Sequence, residues 1–182
     1  MSKTDKKKKK SKHYIDNDQF LSAMNDWKDL VNSCRKNGKP LPPVTDYIGL
    51  CFYQIADRLS RRPNFINYPF REDMVSDGVE NCLQYAHNFD QEKSENPFSY
   101  FTQIIYYAFL RRIEKEKKQA YIKFKCMERS DIDRKYTDWL KESSESGTFS
   151  EFIQRNFYLS EHDLEKLDKE TNKPNKRKRK KK

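Results

Sequence analysis

Glycine is scarce in this sequence, with four among 182 residues, and none falls in a phosphate-cradling or dinucleotide-binding pattern. A P-loop or Gly-rich nucleotide fingerprint is excluded, because both need glycines at fixed spacing for the backbone to approach phosphate. The four cysteines, Cys34, Cys51, Cys82 and Cys126, lie far apart, form no C-x-x-C pair and have no histidine at ligand spacing. They read as small hydrophobes in a reducing compartment, so no metal site is expected. Histidine is equally sparse: His87 sits in a polar turn without a serine, cysteine or carboxylate pair in any catalytic motif, and reads as a surface group. No apolar run approaches membrane-spanning length, and the basic start is not followed by an apolar segment, so neither a signal peptide nor a membrane partner is expected. With no cofactor motif either, the expected chemistry is recognition, not catalysis. Alternating apolar runs long enough for a paired strand are also missing, which predicts an all-α fold.

Charge is plentiful and unevenly placed. The net charge is +10, yet residues 1–12 hold seven Lys and one Asp, and residues 173–182 hold eight basic groups and no acid. The tails thus carry +6 and +8, leaving −4 on the body. Within that acidic body, residues 111–129 hold eight Lys or Arg against three Glu. A free DNA binder is usually basic over its whole fold, whereas one basic helix end on an acidic body fits a protein delivered to DNA by a partner.

Four parts follow from composition: a Lys-rich tail (1–13) too charged to pack, a helical domain (14–125), a weakly ordered segment with a short helix (126–172), and a basic tail (173–182). In the helical domain, Ile15, Phe20, Met24, Trp27, Leu30 and Val31 mark a first amphipathic helix, capped by Asp16 or Asp18 and ending before Asn37-Gly38. Three prolines keep residues 39–44 out of a helix, and Thr45 or Asp46 then caps a second one through Ile48, Cys51, Phe52, Ile55 and Leu59. Phe65, Tyr68 and Phe70 are expected to pin the loop from Pro63 to Arg71. Asp73 is expected to cap a third helix with Val75, Val79, Cys82, Leu83 and Ala86 inward. Gly78 in its middle costs about 1 kcal/mol relative to Ala, which a tight helix crossing would justify. Past residue 125, a short helix from Thr148 or Ser150 to Lys166 is expected through Phe149, Phe152, Ile153, Phe157 and Leu164.

The stretch Asn96 to Lys118 organises the chain. Asn96 can cap and Pro97 suits a first helical position. Phe98, Phe101, Ile105, Phe109 and Ile113 recur at three and four, the stripe a helix buries. A second face carries Tyr100, Gln103, Ile104, Tyr107 and Leu110, then runs into Arg111, Arg112, Lys115, Lys117 and Lys118. Aromatics and glutamine followed by a basic stripe suit stacking of unpaired bases with phosphates beyond; a hydrophobic partner protein is the competing reading.

From Asp73 to Ile113 the sequence resembles region 2 of bacterial RNA polymerase sigma factors, with Asp73, Asp77, Gly78, Phe89, Asp90, Ser99, Tyr100, Thr102, Ala108, Arg111 and Ile113 in register. The pieces HNFD, NP, Y-x-TQ and AF-x-x-RI-x-KE, between His87 and Glu116, are similar to those of the late-transcription sigma factors of T-even-like bacteriophages. The likeness covers residues 14–125, and it implies a compact bundle of four main helices that works in the cytoplasm of an infected bacterium.

It also implies roles. Asp73, Ser76 and Asp77 would dock on the clamp coiled coil of the largest subunit of core RNA polymerase, although a solvated acidic face explains the same residues. Phe89 and Tyr100 would line the pocket for the flipped adenine of the upstream, minus-ten type element on the non-template strand, with Thr102 and Gln103 continuing it. Tyr107 and Leu110 would read its upstream edge, and Arg111, Arg112 and Lys115 would hold phosphate. Primary sigma factors carry two consecutive Trp where this chain has Gln103 and Ile104. The phage family also engages a sliding clamp and a late co-activator; its clamp motif is apolar and acidic, and the loose internal echo from Thr137 to Glu142 is explained equally well by an amphipathic turn. A helical adaptor that binds RNA polymerase or a replication protein without reading bases is the alternative from a different class.

Overall fold

The computed structural model describes residues 14–130, 134–136, 138–139, 151 and 159–171, and every regular element among them is helical. The order is α1 (Asn17–Lys36), α2 (Asp46–Ser60), α3 (Arg71–Tyr85), a 3-10 turn (Ala86–Asn88), α4 (Pro97–Arg129) and α5 (Glu161–Thr171). The chain divides into two compact units, Met1–Leu110 and Arg111–Lys182; α4 belongs to both. None of the described helices is long and apolar enough to cross a membrane.

Local chemistry sets the ends of these helices. The Asp16 carboxylate accepts from the amides of Asp18 and Gln19, satisfying donors that a first turn leaves open. At the other end of α1, Gly38 takes a φ of +62°, a left-handed position that glycine adopts without strain. The Trp27 indole donates to the Pro43 carbonyl at 2.9 Å; the proline segment is thereby laid against α1. Thr45 caps α2 by accepting from the Ile48 amide.

Aromatic side chains fill the core of the first unit. Phe52 and Phe101 lie with ring centres 4.5 Å apart, and Phe20 packs against both. Phe65 meets Phe109 edge-on at 5.1 Å, so one buried ring holds the loop before α3. Full burial of a Phe side chain contributes about 1.5–3 kcal/mol, and Phe20, Phe52, Phe89, Phe101 and Phe109 are all fully buried.

Helix α3 departs from expectation. It begins at Arg71, without a side-chain cap, so Asp73 lies inside the first turn, where its charge complements the helix dipole. Its inner row is Met74, Gly78 and Cys82, continued by Ala86; Leu83 is 44% exposed, and Val75 and Val79 are half-buried. Gly78 is the reason: a Cβ there would lie 3.0 Å from Ile105 and 3.1 Å from Phe109 on α4. The bare backbone is the surface that meets α4, and the helix turns to present it. Leu30 of α1, expected inside, is 56% exposed.

Helix α4 runs 33 residues, eleven beyond Lys118, a length of about 50 Å at 1.5 Å per residue. In the second unit, Ala120 and Tyr121 bury with Leu159 and Leu167, flanked by Phe124, Met127 and Leu164. Cys126 is exposed, contrary to its reading as a packed hydrophobe, whereas Cys51 and Cys82 are buried. Of the expected late helix, Glu151 is helical, and α5 begins at Glu161, where Ser160 and Asp163 form a reciprocal cap: the Asp163 amide donates to Ser160 Oγ, and the Ser160 amide donates to the Asp163 carboxylate. The expected apolar positions Phe149, Phe152, Ile153 and Phe157, most of the Thr137 to Glu142 echo, and both basic tails lie outside the described residues.

Candidate nucleic-acid interface and partner face

The start of α4 is tied down twice. Asn96 accepts from the Ser99 amide at 3.0 Å, and Asn17 of α1 bridges across by donating to the Glu95 carbonyl and accepting from the Phe98 amide. Tyr100, on the first turn, is therefore placed by two elements.

Its ring stands edge-on to Phe89 at 5.3 Å and to Phe101 at 5.1 Å. Phe89 is fully buried, so it backs Tyr100 and has no open face of its own. The turn that carries Phe89 is clamped: the Lys28 ammonium donates to the Phe89 carbonyl, and the Asp90 carboxylate accepts from the Glu92 amide and pairs with Lys93. The amide hydrogen bond, with help from Lys28 and Lys93, holds the Asp90 carboxyl below its usual range. Burial, and secondarily the nearby Cys82 thiol, push the Tyr100 hydroxyl up, and burial pushes up Cys82 itself. Tyr100 is thus a neutral phenol at physiological pH.

Farther along, Gln103 is exposed, Tyr107 is 51% exposed and Leu110 is 37% exposed. Together with half-buried Tyr100 they recur at three and four, one stripe on one face of α4. Thr102 is half-buried and its hydroxyl donates back to the Phe98 carbonyl at 2.7 Å, so its polar group is engaged within the helix. Of the sequence-predicted DNA-face residues in the first unit, Tyr100, Gln103, Tyr107 and Leu110 share this stripe and Phe89 backs Tyr100, whereas Thr102, two positions from Tyr100, falls on another side of the helix.

The basic residues lie in the second unit and are not equivalent. Arg111 and Lys115 are exposed, but Arg112 is half-buried and pairs with Glu116 at 3.2 Å. Lys117 is held by Asp163 of α5 at 2.7 Å, and Lys125 by Asp168 at 3.3 Å and Glu128 at 3.0 Å. Desolvation pushes the Asp163 carboxyl up, but hydrogen bonds from Lys117 and Ser160 outweigh it and bring the group below its ordinary value. The engagement of Lys117 was invisible in a charge count along the helix; the Ser-x-x-Asp start of α5 was its one local signal.

On α3, Asp73 and Ser76 are exposed and Asp77 is half-buried. Beside them a groove of about 360 Å³ is lined by Tyr53, Val75, Ser76, Val79, Glu80 and Leu83. Val75, Val79 and Leu83, which the sequence reading had placed inward, join this candidate partner face, together with Tyr53, which it had not assigned. Among the described residues no group of three or more His, Cys, Asp or Glu side chains is arranged to hold a metal ion.

No family model matches this chain, and no curated protein matches it.

Proposed function

We propose that this chain is a sigma factor of the phage late type, which binds bacterial core RNA polymerase and directs it to promoters by recognising and melting an AT-rich upstream element. The observation that carries the reading is Tyr100: a neutral aromatic side chain at the head of an exposed stripe, braced from behind by buried Phe89 and Phe101.

A base rotated out of the duplex meets the open part of Tyr100, and the brace keeps the ring from folding away. Base stacking on an aromatic contributes about 1–3 kcal/mol, comparable with the few kcal/mol needed to unstack and flip a nucleotide. Melting then needs no catalyst of its own. Gln103 and Tyr107 supply the next polar and stacking contacts, and Arg111 and Lys115 supply phosphate contacts. Asp73, Ser76 and Asp77, with the apolar groove beside them, offer acidic and apolar contacts to the clamp coiled coil of the polymerase.

The same groove favours the second reading, a helical adaptor on RNA polymerase or a replication protein that never touches bases. Run-off transcription with bacterial core polymerase on a template bearing an AT-rich upstream element separates the two. Start-site-specific transcript that depends on this chain is expected; core binding without it replaces the proposal with the adaptor.

A further inference from the structure

The last turns of α4 and the whole of α5 carry opposite charge. Residues 111–129 hold eight basic groups against three acidic, while α5 holds Glu161, Asp163, Glu165, Asp168 and Glu170 against two lysines. The two segments meet through specific pairs. Lys117 places its ammonium between both oxygens of Asp163 at 2.7 and 2.8 Å. Two turns farther along α4, Lys125 is shared between Glu128 of α4 itself and Asp168, which also accepts from the Tyr121 hydroxyl. Leu159 and Leu167 pin the acidic segment down by burying against Ala120 and Tyr121.

Each carboxylate occupies a lysine as a phosphate oxygen would: an oxyanion accepting a charge-assisted hydrogen bond from an ammonium. The reciprocal cap at Ser160 holds Asp163 in place for it. Lys115, Lys118 and Lys123 stay exposed, so the basic helix is divided into open and occupied cations.

We propose that α5 is a built-in competitor for nucleic-acid phosphate on the C-terminal half of α4, an autoinhibitory strap that withholds Lys117 until it is displaced. This rests on the nucleic-acid reading above. Strand binding then occurs in two grades: a weak one through the open cations, and a stronger one in which a phosphate replaces Asp163 on Lys117.

The test is a mutant cycle in the full-length chain, read by fluorescence anisotropy with a single-stranded AT-rich oligonucleotide across a salt series. In the parent, Lys117→Gln is expected to leave affinity and salt slope unchanged, because Asp163 already occupies that lysine. In an Asp163→Asn, Asp168→Asn background, the same Lys117→Gln is expected to weaken binding and make the slope shallower by about 0.7, the loss of one phosphate contact on a single strand. Detachment of α5 in that background frees the same lysine, so the cycle reads masking whether α5 stays or leaves; circular dichroism checks that α4 remains helical. An equal effect of Lys117→Gln in both backgrounds, or none in either, overturns the strap. Tyr107→Ala in the same titration keeps the two ideas apart: if it weakens binding while the cycle is null, only the strap falls, and if both are null, the nucleic-acid reading falls too.

Discussion

Gly78 on α3 and Ile105 on α4 meet so closely that a Cβ on the glycine would lie 3.0 Å from the Ile105 Cγ2 methyl. This crossing fixes which side of α3 faces inward, and so which side carries Asp73 and the groove.

A side chain at Gly78 should push the two helices apart. Gly78→Val is expected to lower stability by about 1–3 kcal/mol, the usual cost of overpacking. Gly78→Ala should cost less, because about 1 kcal/mol of helix propensity offsets the crowding. Denaturant melts of both variants check this; equal or higher stability for Val would mean that the crossing relaxes freely.

Tyr100 and Phe89 touch, yet they should respond differently to truncation. Phe89→Ala empties a fully buried site and is expected to lose about 3–5 kcal/mol of fold stability. Tyr100→Ala, at a half-exposed site, is expected to cost less stability but to remove about 1–3 kcal/mol from the open complex. Tyr100→Phe should be nearly silent. A template with its bubble already unpaired should recover part of the Tyr100→Ala loss; equal loss on duplex and unpaired templates would remove Tyr100 from the site.

The partner face should tolerate charge without unfolding. Leu83 is exposed, so Leu83→Glu is expected to change stability by only a few tenths of a kcal/mol, and Asp73→Lys, which reverses a charge in the first turn of α3, by about 1 kcal/mol. Affinity for core polymerase should fall by at least about tenfold, roughly 1.4 kcal/mol. Core affinity measured beside the melting curve decides the matter, and unchanged affinity returns this face to solvent.

Acid should loosen the second unit. The Asp163 carboxyl is held below its ordinary value in the fold, so the bound Asp163 stabilises the α4 to α5 contact fully above about pH 4 and loses that role as pH falls through the lowered value. Protection factors of the α5 amides, which are relative to the intrinsic exchange rate at each pH, are expected to fall in that acid range. Asp163→Asn should show low protection already at pH 6, with little further pH dependence from this site.

Much of the fold is written in short segments. Asp16, Thr45 and Asn96 cap the helices that their positions predicted, because a cap is a contact between a side chain and an amide two or three residues away. The stripe of Phe101, Ile105 and Phe109 was legible for the same reason: helical period alone brings those positions to one face. So was the exposed row of Tyr100, Gln103, Tyr107 and Leu110. Tertiary structure decided what depends on a distant partner. It turned α3 so that Gly78, not Val79, meets α4, since backbone approach outweighed side-chain hydrophobicity there. It placed Phe89 wholly inside, behind Tyr100. It also paired Lys117 with Asp163, 46 positions away, a match that depends on where the returning chain lies and that no count of charges along α4 contains.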